Sequence, residues 1–108
     1  MMKLIMAIVS SEDGNKVIKA LTDDGFAVTK LSTTGGFLSS GNMTLLCGVD
    51  DEKVDEVLKI IEAKSRKRDK VVPASASYGA GVYTAFPIDI KVGGAVVFVL
   101  NVERFEKI

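Results

Sequence analysis

Residues Thr33-Thr34-Gly35-Gly36-Phe37-Leu38-Ser39-Ser40-Gly41-Asn42 concentrate the groups that could hold a phosphorylated ligand. The adjacent Gly35 and Gly36 allow a tight turn with free backbone N–H groups. The hydroxyls of Thr33, Thr34, Ser39 and Ser40 add donors, and Phe37 offers an aromatic face beside them. Donors next to a stacking surface suit a phosphate attached to a base. Gly, Ser and Asn also build ordinary hairpin connections, so on composition alone both readings stand.

Covalent and acid–base chemistry are poorly supplied. The chain has no histidine, which removes the commonest general base and the commonest metal ligand together. Its one cysteine, Cys47, falls inside an apolar run and reads as a small buried hydrophobe. The carboxylates gather at Asp23-Asp24, Asp50-Asp51-Glu52 and Asp55-Glu56, where helix ends and solvent faces account for them. The basic run Lys64, Arg66, Lys67, Arg68 and Lys70 falls at the expected end of a helix, where cations suit the dipole. These residues predict a protein that is not an enzyme and needs no cofactor or metal.

Fourteen basic and fourteen acidic side chains cancel, so no overall field draws in nucleic acid or an anionic membrane. A length of 108 residues suits a single domain spanning 1–108. The apolar stretch Leu4 to Val9 is too short and too poorly flanked for a signal peptide or membrane span, which predicts a cytoplasmic protein.

The elements around the loop follow from periodicity. LIMAIV, Leu4 to Val9, reads as a strand covered on both faces. Ser10 or Ser11 can cap a helix with Glu12 and Asp13 in its first turn and a stripe of Val17, Ile18 and Leu21, and Gly25 supplies a left-handed stop. Phe26 to Thr33 is β-rich, and Met43 to Val49 alternates Met43, Leu45, Cys47 and Val49 against Thr44, Leu46 and Gly48. Asp50 or Asp51 can cap a second helix on the stripe Val54, Val57, Leu58, Ile61. Periodicity is lost from Arg66 to Phe86. Ile88, Ile90 and Val92 then alternate, Gly93-Gly94 breaks or bulges the strand, and Ala95 to Val102 resumes it.

The order βαββαβ predicts an α+β, ferredoxin-like fold: a four-stranded antiparallel sheet with two helices on one face. Three of the strands are apolar on both faces, yet two helices cover only one. The uncovered face therefore predicts burial between subunits.

The stretch TKLSTTGGFLSSGNMTLLCGVDDEKVDEVL, with KLIMAIV near the start and VGGAVVFVL near the end, closely resembles the PII-like cyclic-di-AMP receptor family. The resemblance runs from about Met2 to about Phe105 and is loosest from Lys67 to Ala85. It implies a PII-like homotrimer that binds the bacterial second messenger cyclic di-AMP in clefts between subunits and signals to a downstream protein. Carried over by motif, Thr29 would hydrogen-bond the nucleotide, and Gly36, Phe37 and Leu38 would wrap it. Asn42 would read an adenine edge or a phosphate, Gly48 would permit close approach, and Phe98 would add packing from the last strand.

Many family members resemble one another in an arginine two residues before the threonine matching Thr29. This chain has Ala27 there, which removes a stacking plane or a charge-assisted bond, with Lys30 a partial substitute. Tyr78 and Tyr83 lie in the stretch that resembles the family's enlarged loop. The alternative is a PII-type sensor of ATP or another adenine nucleotide. Its long loop between the second and third strands has no counterpart in the short Thr34 to Gly41.

Overall fold

The apolar run at the start of the chain becomes β1 (Met2–Ser10), and the chain turns directly from it into α1 (Ser11–Asp23). Ser10 is the N-cap, its Oγ accepting from the Glu12 N–H at 3.3 Å. Gly25, at φ +90°, ends the helix by donating to the Thr22 carbonyl at 3.0 Å. There follow β2 (Thr29–Leu31), β3 (Asn42–Asp50), a 3₁₀ turn (Asp51–Lys53) and α2 (Val54–Ser65). The chain closes with β4 (Arg68–Pro73), β5 (Pro87–Val92) and β6 (Ala95–Asn101). This computed structural model describes residues 1–31, 41–73 and 87–108, without the side chains of residues 70–73 and 87–90.

The principal sheet runs in the order β2-β3-β1-β6 with every neighbouring pair antiparallel. It is the four-stranded sheet of the ferredoxin-like fold. Both helices lie on one face, where Ile5, Ala7 and Val9 of β1 and Met43, Leu45, Cys47 and Val49 of β3 meet Val17 and Leu21 of α1 and Val57 and Ile61 of α2. A Cβ at Gly14 would collide with the Met43 thioether, so this glycine lets α1 lie close over β3. Cys47 is buried in this core, and burial pushes its thiol pKa up, which disfavours the reactive thiolate.

Three local expectations change. The β-rich stretch from Phe26 is a strand only over Thr29–Leu31, at the sheet edge, although Phe26 and Val28 still pack against the core. Asp50 precedes the 3₁₀ turn without a side-chain capping bond, and α2 starts at Val54. The expected final strand is two strands in two sheets. Gly93 and Gly94 both take positive φ, +85° and +83°, and between them the chain changes partner. Before them β5 pairs with β4, a strand the sequence did not suggest, and after them β6 pairs with β1. The β4–β5 hairpin carries an Asp69–Lys91 ion pair across its register at 2.6 Å.

Candidate functional site

The register of the sheet decides which residues share its second face. Residues directly opposite in antiparallel strands point the same way. Ile5, Ala7 and Val9 point to the helices, so Leu4, Met6 and Ile8 point away. Their β3 partners Gly48, Leu46 and Thr44, and their β6 partners Leu100, Phe98 and Val96, do the same. Thr29 and Leu31 join that face through Leu46 and Thr44. One continuous row crosses the sheet: Thr29, Leu46, Met6, Phe98.

Among the described residues no helix covers this face. Val96 is 55% exposed, Phe98 49% and Leu100 44%, a run of large apolar side chains that a lone chain leaves in water. Thr44 is the exception at 3% exposure. Its Oγ1 is buried with no hydrogen-bond partner among the described residues.

Four of the residues singled out from the sequence, Thr29, Asn42, Gly48 and Phe98, lie on this open face, and Gly36, Phe37 and Leu38 lie outside the described residues. The sheet does not gather the four within one chain. Thr29 and Phe98 stand on opposite edge strands, three strand spacings apart, or about 14 Å. Asn42 and Gly48 mark opposite ends of β3, about 20 Å apart. Only Thr29 and Gly48 are near neighbours, one row apart along β3.

Gly48 and Gly93 differ in purpose. Gly48 has an ordinary φ, and the nearest atom to a Cβ built there is Met2 Sδ at 3.9 Å, so the subunit's own packing has no need of a glycine. Gly93 is fully constrained, as described below.

Asn42 opens into a cleft of about 390 Å³ whose walls include Ser10, Lys67, Gly93, Gly94 and Val96. None of these wall residues is among the site residues expected from the sequence. The basic run suggests that Lys67 belongs to a helix end, but α2 ends at Ser65, leaving Lys64 as the only basic residue of its last turn. Lys67 instead lines the cleft. Lys30 pairs with Leu45, a core position, and so lies on the helix side of β2, away from Thr29. Ala27 is exposed between Phe26 and Val28, which pack on the core, so it shares the side of Thr29. Tyr78 and Tyr83 lie outside the described residues. Among the described residues no helix is long and apolar enough to cross a membrane.

The family profile described as cyclic-di-AMP receptor matches residues 2–108. Among solved structures, a functionally unknown protein from Pediococcus pentosaceus is 42% identical and superposes with a TM-score of 0.77 over 99% of this chain and 97% of that one. The PII protein of Arabidopsis thaliana, solved bound to citrate, is 19% identical and superposes with a TM-score of 0.55 over 94% of this chain and 74% of that one. The second likeness establishes a PII-like fold.

Proposed function

The chain belongs to the cyclic-di-AMP receptor family, and on that premise we propose that it is a signalling receptor, not an enzyme, which binds cyclic di-AMP in clefts between the subunits of a homotrimer. The observation that carries this reading is the open sheet face. It bears exposed Val96, Phe98 and Leu100 together with Thr29, Asn42 and Gly48. An apolar face of this kind is stable in water when another subunit covers it.

The spread of these residues supports a shared site. A ligand that touches both Asn42 and Gly48, at opposite ends of β3, takes them from two different chains. Cyclic di-AMP has two adenines and two phosphates, and so can engage both sides of a subunit boundary. In this reading Thr29 and Asn42 supply side-chain hydrogen bonds, Gly48 admits a base or phosphate against the backbone, and Phe98 packs on an adenine. Gly36, Phe37 and Leu38 wrap the ligand from the Gly-rich turn. The ligand then acts on a downstream protein through the loops that it touches.

Isothermal titration of the full chain tests the proposal. The expected result is saturable binding of cyclic di-AMP at one per subunit. Binding of ATP with no heat from cyclic di-AMP would overturn it in favour of a PII-type adenine nucleotide sensor. The same assay tests the role of position 27. Ala27→Arg restores a guanidinium on the side of Thr29, and a charge-assisted bond there should tighten binding by about tenfold. Unchanged affinity would mean that position 27 does not reach the ligand.

A further inference from the structure

Asp13 is a carboxylate with a fully buried side chain in the first turn of α1, and it is held by a residue far away in the sequence. The Arg68 guanidinium grips it with two nitrogens, Nη2 donating to Oδ1 at 2.8 Å and Nη1 to Oδ2 at 3.1 Å. Nη1 also donates to the Arg66 carbonyl at 3.0 Å. Lys16 approaches Asp13 Oδ1 at 3.9 Å, and Glu12 lies 3.7 Å from Arg68 Nη2. The fork geometry fixes direction as well as charge, which a lysine cannot do. The hydrogen bond to Asp13 raises the Arg68 pKa further, so the guanidinium stays protonated.

Gly93 seals this pair. A Cβ built at Gly93 would lie 2.5 Å from Arg68 Nη1, 2.6 Å from the Arg66 carbonyl oxygen and 3.2 Å from Asp13 Oδ2. Its φ of +85° is also in the region that only glycine enters freely. Next to it, the Gly94 N–H donates to the Ser65 carbonyl at the end of α2. The start of α1, the exit from α2, the first residue of β4 and the passage from β5 to β6 therefore meet at one point.

That point adjoins the cleft at Asn42. Ser10, which precedes α1 by one residue, pairs with Asn42 in the sheet, and Ser11 N–H donates to the Gly41 carbonyl at 2.7 Å. Gly93 is shared between the ion pair and the cleft wall. We propose that Asp13, Arg68 and Gly93 form a fixed joint that sets the direction in which the β4–β5 hairpin leaves the sheet and the shape of the cleft wall beside Asn42. They are positioning residues that tune ligand affinity without touching the ligand. The tuning rests on reading this cleft as part of the cyclic-di-AMP site.

Amide hydrogen exchange on the ligand-free protein tests the joint, and titration with cyclic di-AMP tests the tuning. In Arg68→Gln, the β4–β5 amides and the Gly94 N–H should exchange about tenfold faster while the β1–β3 amides keep their rates. Affinity for cyclic di-AMP should fall about fivefold to tenfold. Arg68→Lys, which keeps the charge and loses the fork, should lie between this variant and the wild type. The double variant Asp13→Asn with Arg68→Gln leaves no buried unpaired charge. It keeps the test open should Arg68→Gln alone fail to fold, and it should bind no more weakly than Arg68→Gln.

Wild-type exchange in the hairpin of the double variant and of Arg68→Lys would overturn the joint. Wild-type affinity in both, with the wild type itself binding, would overturn the tuning. A wild type that does not bind cyclic di-AMP defeats the functional reading and the tuning with it. The exchange contrast, read without ligand, separates that outcome from failure of the joint.

Discussion

Met6→Glu should turn the proposed homotrimer into a folded monomer. Met6 lies at the centre of the open face, between Leu46 and Phe98 in the row that crosses all four strands. In the isolated subunit its side chain is only half-buried, so a glutamate there can reach water and the helix-side core is untouched. In an assembly that closes over this face, the same carboxylate loses its water and gains no partner. That costs several kcal/mol per buried charge, enough to dominate a subunit contact. Sedimentation or light scattering should show a threefold drop in mass, with an unchanged helix and strand signature by circular dichroism. A variant that keeps the wild-type mass would mean the subunits meet elsewhere. Loss of cyclic di-AMP binding should accompany dissociation, because no single chain brings the two ends of β3 together.

Gly48→Val should leave the fold intact and weaken ligand binding severely. A Cβ at this position meets nothing closer than Met2 Sδ at 3.9 Å, and the backbone there is ordinary strand. A β-branched residue suits a strand, and replacing glycine narrows the unfolded ensemble, so the melting temperature should hold or rise slightly. A ligand packed against this backbone has no room for the added isopropyl group. The expected loss is about tenfold to a hundredfold in affinity, the range set by overpacking a well-fitted contact. Separating stability from binding gives the test its force. Unchanged binding would put Gly48 outside the cleft, and a large fall in melting temperature would give the glycine a role within the subunit.

The framework was legible because the sheet and helices bury one face each. Leu4 to Val9, the alternation through Met43 to Val49 and the stripe Val54, Val57, Leu58, Ile61 carry their burial in local spacing, and the observed elements follow them. The hairpin was not legible. β4 begins Arg68-Asp69-Lys70, which looks like the charged end of a helix, and its partner β5 starts only at Pro87. Pairing over that separation leaves no local period to read.

Asp13 was misread for a related reason. An acid in the first turn of a helix has a ready explanation in the dipole, which conceals that Asp13, Val17 and Leu21 form one i, i+4, i+8 stripe. An acid on an apolar stripe signals a cation reaching in to meet it, and that cation is the half-exposed Arg68. The open face itself was anticipated from strands apolar on both sides. The membership of Thr29, Asn42, Gly48 and Phe98 in it became visible only through register.

The separation of Asn42 and Gly48 along β3 has a genetic consequence. In a closed ring each chain lends its Asn42 end to one cleft and its Gly48 end to the next. Two alleles that each weaken binding, Asn42→Ala and Gly48→Val, should then complement when co-expressed. A boundary that draws Asn42 from the Gly48→Val chain and Gly48 from the Asn42→Ala chain is chemically whole. With random mixing, about one cleft in four should regain cyclic di-AMP binding. Titration of the co-purified mixture, set against each variant alone, should recover that fraction of the wild-type stoichiometry at wild-type affinity. No recovery would mean that both residues serve the same side of the boundary.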